Sequence, residues 1–311
     1  PTGTIPLSEA QFRANIDSFS CVDQDKNVFF LVDNDGKFAA FMLNEEADKL
    51  ISLKSDINAL FNSPVLGYNS KDDIVYQFWA NRDSHEVYYF DPKTDYAPTT
   101  AISSISWDDP NFPNIEGFGV WAAKCNFTMG PDGKMYSRML GGNLVRIDVE
   151  NARGENLTNG DLVGTKDGSA YGLVFDPQDE NVFYFSNNDK HCIYKYDLRT
   201  KECACWAGQE GKSGYLDGPI GQAMFNKPGQ MCVDSEGNII LTDTENHCIR
   251  KITMSTGYVS TLAGKPQNSG YVNGSAEDAQ FKKPLGICID NDDVMYIGDS
   301  ENRAIRRLAV E

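Results

Sequence analysis

The chain has 311 residues, with 28 Lys and Arg against 45 Asp and Glu, and a formal net charge of −17 at pH 7. A surface this acidic repels phosphate backbones and anionic bilayers on average, so nucleic acid and anionic membranes are not expected partners. Because 41% of the residues are hydrophobic and 11% are aromatic, the chain can fill a large core, which excludes wholesale disorder.

No transmembrane segment is expected. The longest uninterrupted apolar run, residues 38–43, has six residues, against about 20 for a helix that spans a bilayer. Residues 1–7 also lack the basic, then apolar, then small-residue order of a secretory signal. Two alternatives follow, a cytosolic protein or a chain that begins after processing.

Six segments in chain order share one pattern, in which short apolar runs end in Asp, Asn and Gly. Period-2 alternation between such turns is typical of β-strands and not of helices. The segments cover residues 19–43, 66–90, 126–149, 172–197, 231–254 and 287–310.

The last two segments are copies of each other at a spacing of 56 residues. Gly-Tyr-Leu-Asp-Gly at 214–218 recurs as Gly-Tyr-Val-Asn-Gly at 270–274, and Asp-Thr-Glu-Asn-His at 243–247 recurs as Asp-Ser-Glu-Asn-Arg at 299–303. A single sheet of about 50 residues cannot bury both faces, whereas six sheets around one axis bury each other. The sequence therefore predicts an all-β fold, a six-bladed β-propeller of four-stranded antiparallel blades, with residues 1–311 as a single domain.

Two sources could supply the strand that closes the ring. The last recognisable strand, near residues 305–310, would be the third of blade six, so an outermost strand is missing at that end. Residues 2–5 could supply it and hide an unpaired edge. Alternatively, the strand lies upstream of Pro1 in a longer natural protein.

The segments at 238–251 and 294–306 resemble the NHL repeat, with its Asn-His pair and the Ile-Arg that follows. The Gly-Tyr-x-Asp/Asn-Gly linkers, each followed by Ala-x-Phe, are similar to those of envelope NHL proteins of gut Bacteroidetes of the TIG-NHL type, although no TIG domain is visible. The resemblance implies an exported propeller at the cell envelope or surface of a Gram-negative bacterium.

The three histidines, His85, His191 and His247, fall in or beside turns between second and third strands of blades two, four and five. They could suggest zinc, but turns on different blades lie too far apart to share one ion held at about 2 Å. We expect them to pack turns and bind no metal.

The eight cysteines are expected to be buried, apolar-like side chains and not a disulfide framework. Cys21, Cys232 and Cys288 share one place in the first strands of three blades, where each should face its own neighbours and not the other two. Cys203 and Cys205 lie two residues apart on an outer strand, which does not make a CxxC motif.

No cofactor is expected. The Asp- and Asn-rich stretches at 33–36 and 290–293 resemble calcium loops but lack the Glu at EF-hand spacing, and hairpin tips use such residues to cap turns. A divalent cation such as calcium at the surface stays an alternative.

The linker between blades two and three, residues 101–124, concentrates aromatic and acidic residues. Aromatic rings stack on sugar C–H groups while carboxylates take the hydroxyls. We therefore expect Trp107, Asp108 and Trp121 to bind a ligand on the face that carries the linkers, and Lys124, just before the first strand of blade three, to bind at the axial mouth. The alternative is that the aromatic residues of this linker close the core.

A polar ring is predicted at the axial mouth. Asn126, Tyr171 and Gln230 stand near the starts of first strands, and Tyr215 and Tyr271 lie in the adjacent linkers. They could bind a ligand or hydrogen-bond the neighbouring linkers.

Two functions remain open. The first is a non-catalytic ligand-binding or scaffold propeller, expected to be monomeric, that takes a glycan or protein partner on the linker face. The second is a metal-dependent propeller hydrolase or lyase of the gluconolactonase-like type. The starts of the first strands offer no axial carboxylate, so no catalytic residue is assigned.

Overall fold

The computed structural model of the chain describes residues 2–5, 15–16, 21–34, 37–44, 50–58, 63–80, 85–109, 126–139, 142–158 and 171–309. Over these residues, 27 β-strands form six sheets, and the helical segments are three short 3-10 turns, Pro92–Thr94, Thr244–Asn246 and Ser300–Asn302. None of the described helical segments is long and apolar enough to cross a bilayer. The predicted all-β, six-bladed propeller is confirmed.

The first three blades are built from strands β2 to β15. Blade one contains β2 (Asn15–Ile16), β3 (Cys21–Val22), β4 (Val28–Asn34), β5 (Lys37–Leu43) and β6 (Leu50–Asn58). Blade two contains β7 (Ser63–Asn69), β8 (Ile74–Ala80), β9 (His85–Phe90) and β10 (Thr99–Ile102). Blade three contains β11 (Ser106–Trp107), β12 (Thr128–Met129), β13 (Met135–Arg138), β14 (Leu144–Asp148) and β15 (Arg153–Asn156).

The last three blades follow in the same order. Blade four contains β16 (Leu173–Phe175), β17 (Val182–Asn187), β18 (Cys192–Asp197) and β19 (Glu202–Gly208). Blade five contains β20 (Gly218–Pro219), β21 (Pro228–Val233), β22 (Ile239–Asp243), β23 (Cys248–Thr253) and β24 (Tyr258–Ala263). Blade six contains β25 (Pro284–Ile289), β26 (Met295–Asp299), β27 (Ala304–Leu308) and β1 (Thr2–Ile5).

The innermost strands contact one another around a closed ring. Strand β3 contacts β7 and β25, β7 contacts β12, the sheet of β12 contacts β16 through β13, and β21 contacts β16 and β25. These strands therefore surround a common axis, and the hairpins that follow them point to one end of that axis.

The prediction of four strands per blade is correct for blades two, four and six and wrong for the others. In blade one, β2 and β3 both pair with β4. In blades three and five, the preceding linker adds a strand outside the blade, with β11 parallel to β15 and β20 antiparallel to β24. An added outer strand covers backbone groups that an edge would leave unpaired.

The N-terminal strand closes the ring, which confirms the first of the two alternatives. Strand β1 pairs antiparallel with β27, with Thr2 opposite Leu308 and Ile5 opposite Ile305. It gives blade six its fourth strand and covers the edge of β27.

The core lies between the blades. Every residue of β17 is buried, because neighbouring blades cover both faces of each sheet, and the strand has a continuous run of large apolar side chains. Phe78 of blade two stacks on Phe127 of blade three, with ring centroids 5.1 Å apart. The two blades approach so closely that a Cβ on Gly67 would lie 1.5 Å from the Phe127 carbonyl oxygen.

Deleting residues 1–5 should destabilise the propeller. The deletion removes β1 and leaves the edge of β27 unpaired; at about 1 kcal/mol per backbone hydrogen bond, we expect a loss on the order of 3 kcal/mol of unfolding free energy. Chemical denaturation measures it, and deletion of Pro1 alone is the control. Equal midpoints for the two variants would contradict closure by this strand.

Candidate functional site

A cavity of about 250 Å³ lies on the propeller axis. The inner strands of blades one, two, three, five and six line it, and its wall is mostly apolar. Cys21, Cys232 and Cys288 all contribute to this wall. Each of these cysteines also packs in a different core cluster, as expected, because side chains of an innermost strand reach the flanking blades as well as the shared axis.

A second cavity, of about 350 Å³, opens at the end of the axis where first strands turn into second strands. It shares Val22, Tyr68, Ser70 and Ile289 with the axial cavity, so the two form one passage. We call this outer cavity the tip-face funnel. Four carboxylates line it, from Asp23, Asp234, Asp290 and Asp293.

Three of the funnel aspartates are held by their own hairpins. Asp234 accepts hydrogen bonds from the Asn238 backbone N–H at 2.7 Å, Asp290 from that of Val294 at 2.9 Å and Asp23 from that of Asn27 at 2.8 Å. These contacts are the turn-capping role predicted for Asp in such loops.

Burial and hydrogen bonding act on these carboxyls in opposite directions. Burial raises the pKa of Asp23 despite hydrogen bonds from Asn27. Burial also acts on Asp234, but hydrogen bonds from Asn238 and from Lys251 hold the pKa of that carboxyl below its ordinary value. Among the residues that the structure describes, no three His, Cys, Asp or Glu side chains are grouped closely enough to hold a metal ion.

Neighbouring hairpin tips are tied to each other around the funnel. The Ser235 backbone N–H of blade five donates to Asp293 of blade six at 2.8 Å, and the Ser235 hydroxyl bonds the same carboxylate. Lys26 of blade one forms a 2.5 Å ion pair with Asp292 of blade six. The funnel rim is therefore fixed before any ligand arrives.

Two predicted mouth residues, Asn126 and Gln230, line the axial cavity. Asn126 of blade three pairs with the backbone of Leu173 in blade four, accepting from its N–H at 2.7 Å and donating to its carbonyl at 3.1 Å. Gln230 of blade five accepts from the Ile287 N–H of blade six at 3.2 Å. At this end of the axis the amides join blades. The partly exposed Tyr171 accepts a backbone hydrogen bond from Asn126.

The two linker tyrosines lie elsewhere, against buried arginines. Arg250 is fully buried between Tyr215 and Phe225, whose ring centroids are 4.8 and 5.1 Å from its Cζ. Its guanidinium contacts Asp243 at 2.6 Å and Asp217 at 2.8 Å. Burial raises the pKa of Asp243 to about 6, and the Arg250 charge and hydrogen bonds keep the pKa from rising further. The carboxyl is therefore ionised at neutral pH.

Blade six repeats this arrangement. Arg306 contacts Asp299 at 2.8 Å and Asn273 at 2.7 Å, and it lies between the rings of Tyr271 and Phe281. We call each buried arginine with its partners a linker staple, because it fixes the linker that enters the blade. The staples explain the 56-residue repeat of Asp and Arg. The repeat is visible in the sequence, which does not by itself show what the two residues do.

The histidines make the packing contacts expected of turn residues. Nδ1 of His191 accepts from the Lys227 backbone N–H and Nδ1 of His247 from that of Lys283, both at 3.1 Å. Each bond ties a turn to the linker of the next blade. His85 instead accepts from the Trp107 indole N–H at 3.2 Å.

The predicted linker-face residues fall in different places. Trp107 lies on the outer edge of blade three, half-buried against Gly154 and His85. Asp108 points to the other side of that edge, where it lines a groove of about 230 Å³ with Arg146 and Arg153. Trp121 and Lys124 lie outside the described residues, so their part in a ligand site stays a prediction.

Six sheets around an axis, with linkers held by repeated staples, define a propeller built from copies of one repeat. Residues 225–252 match the family model of the NHL repeat, which confirms the resemblance found in the sequence. The match includes Phe225, Asp243 and Arg250 of the blade-five staple.

Two curated proteins are similar to this chain. Protein SUPPRESSOR OF QUENCHING 1, chloroplastic, of Arabidopsis thaliana is 25% identical over 271 residues, 81% of this chain and 25% of that protein. NHL repeat-containing protein 2 of Gallus gallus is 30% identical over 152 residues, 48% of this chain and 19% of that protein. The chain thus spans a quarter or less of these relatives.

Solved structures show the same fold. A structural genomics protein of unknown function from Bacteroides thetaiotaomicron superposes with a TM-score of 0.82 at 21% identity, covering 100% of this chain and 76% of that one. An auxiliary nutrient binding protein from the same species gives 0.71 at 20% identity over 94% and 68%. A streptogramin B lyase gives 0.59 at 11% identity over 100% and 98%.

Replacing Arg250 with Met should cost about 4 kcal/mol of unfolding free energy, because Asp243 is left buried without a counter-charge. Adding Asp243→Leu to that variant should recover part of the loss, since the lone carboxylate is then gone. Chemical denaturation measures both. Arg199→Met, which removes a half-exposed ion pair, should leave the unfolding curve nearly unchanged. Equal effects of the two single changes would contradict the staple.

Stability should fall in mild acid through His191 and His247. Burial and nearby lysine charge lower the pKa of His191, and burial lowers that of His247. The unfolded chain, with ordinary histidine pKa values near 6.5, therefore binds more protons, and unfolding free energy drops as pH falls through about 6.5 towards the lowered values.

The double variant His191→Asn, His247→Asn isolates this contribution, because Asn tolerates the left-handed backbone at both positions. Chemical denaturation at pH 7.5 and 5.0 should show that the variant loses less unfolding free energy between these two pH values than the wild type does. Asp243 changes the unfolding free energy in the opposite direction, because its raised pKa of about 6 lets the folded chain bind more protons than the unfolded chain below that pH. This contribution is the same in the wild type and in the variant. Parallel pH profiles would contradict the assignment.

Proposed function

We propose that this protein is a non-catalytic binding propeller of the cell envelope that takes a hydroxyl-rich nutrient, a glycan fragment, in the tip-face funnel. The observation that carries the proposal is the passage itself, a rigid acidic rim above an apolar axial cavity. Ligand sites of proteins commonly combine a concave apolar wall with a few fixed polar groups.

The rim offers acceptors that the fold does not consume. A carboxylate has about four acceptor positions, and Asp234 uses all of them on Glu236, Asn238 and Lys251. Among the described residues, the hydrogen bonds to the Asp293 carboxylate come from Ser235. Asp293 therefore retains capacity for ligand hydroxyls, and the acidic rim disfavours anionic ligands.

The solved relatives support a binding role at the envelope. The similar Bacteroides structure is described as an auxiliary nutrient binding protein, and the present propeller shares its fold. An exported or surface location in a Gram-negative bacterium is part of this proposal. A protein partner on the linker face is the second form of the binding hypothesis.

A metal-dependent hydrolase or lyase is the alternative class. Its fold-level support is the likeness to a streptogramin B lyase, and fold does not fix function. The described histidines accept backbone or indole hydrogen bonds, which favours the binding hypothesis.

A neutral oligosaccharide panel tests the proposal by isothermal titration calorimetry. Asp293→Asn should weaken the binding of a glycan ligand by about tenfold, since a charged hydrogen-bond acceptor is lost. Asp25→Asn removes the same charge from another exposed hairpin tip but lies outside the funnel lining, so it should bind as the wild type does. Equal losses, or loss only in Trp107→Ala, would place the ligand elsewhere.

A further inference from the structure

Three cysteines project from one face of blade four into its interface with blade three. Cys192 on β18 and Cys203 and Cys205 on β19 pack in the same apolar cluster as Tyr194 and Tyr196. Because the three side chains share this face, their thiols lie in one small region of the interface.

The strand register separates the three positions. Cys192 is opposite Gly208, Tyr194 is opposite Cys205, and Tyr196 is opposite Cys203, with a bulge beside Ile193 that leaves Trp206 unpaired. The residue opposite Cys192 thus has no side chain.

Cys205 fills the space that Gly208 leaves open. Its Sγ lies 3.8 Å from the carbonyl oxygen of Gly208, the residue opposite Cys192. The two thiols therefore occupy adjoining places on one face of neighbouring strands. An S–S bond of about 2.05 Å between them requires a movement of β19, which its bulge and its edge position allow.

The two thiols differ in access and acidity. Cys192 is fully buried, whereas Cys205 is partly exposed. The neighbouring Cys192 thiol lowers the pKa of Cys205, while the Cys205 thiol and burial raise the pKa of Cys192. Since the thiolate is the nucleophile, Cys205 reacts first.

We propose that Cys192 and Cys205 are a disulfide-forming modification site, oxidised by a small-molecule disulfide. The Cys205 thiolate attacks one sulfur of the reagent, forms a mixed disulfide and expels one thiolate. Cys192 then loses its proton, attacks the Cys205 sulfur and expels the second thiolate. Two protein thiols are oxidised to one disulfide, and one reagent disulfide is reduced to two thiols.

The other cysteines give the site its selectivity. Burial raises the pKa of the Cys21, Cys232 and Cys248 thiols, so they react slowly. Cys203 has its pKa raised to about 12, by burial above all, and it lies one ladder step farther from Cys192 than Cys205 does.

The folded protein treated with oxidised glutathione is the test. Thiols titrated after denaturation should fall from eight to six, and peptide mapping should join the peptides of Cys192 and Cys205. Oxidation should raise the melting temperature on the order of 5 °C, because the bond closes a short loop of the unfolded chain. The matched control Cys203→Ser should retain both results.

Two further variants separate the roles. Cys192→Ser should keep a glutathione adduct on Cys205, and Cys205→Ser should leave Cys192 unmodified, with circular dichroism confirming the fold. Eight remaining thiols in the folded wild type, or a bond between Cys203 and Cys205, would overturn the proposal. The peptide mapping uses the wild-type chain and Cys203→Ser, so it tests the Cys192–Cys205 disulfide even where the other variants fail to fold.

Discussion

The buried contact between Asp243 and Arg250, with its copy between Asp299 and Arg306, is the interaction on which the linkers depend. Each arginine is fully buried and donates to carbonyls of the incoming linker, Met224 and Leu216 in blade five. A guanidinium has five donors in a fixed fork, so one side chain can hold a strand end, a linker and a carboxylate together. Because the linkers are held from within, their outer surfaces are free to vary.

The same pair explains why the repeat decays unevenly along the chain. In register, Asn187 and Tyr194 of blade four stand where Asp243 and Arg250 stand in blade five, and Met139 and Val145 stand there in blade three. Removing one residue of the pair leaves the other charge buried without a partner, whereas replacing both residues with neutral or apolar ones is tolerated. The two positions therefore change together, and the resemblance to the NHL repeat fades towards the N-terminus.

Sequence periodicity predicted the six sheets because alternation and turn residues are local signals, whereas the closing strand was one of two alternatives that the sequence left open. The added strands β11 and β20 could not be predicted, since two residues paired to an edge carry no periodicity of their own. The same limit applied to the thiols of Cys21, Cys232 and Cys288. Their shared place in the repeat was visible, but only the radius of the ring shows that this place faces the axis. Asn126 and Gln230 were placed at the axis correctly, whereas their bonds across blades needed the neighbouring strand.

The two ends of the axis differ in how they use their polar groups, and this difference bears on binding. At the linker end, the amides of Asn126 and Gln230 are engaged by the backbones of the next blades. At the tip end, Asp293 is held by Ser235 and keeps acceptor capacity towards the funnel. A polar group that joins blades cannot turn to a ligand without loosening the ring, whereas a carboxylate held by one neighbouring hairpin can accept further hydrogen bonds at little cost. The hairpin tips are therefore the end of this propeller at which ligand chemistry can change while the ring stays intact.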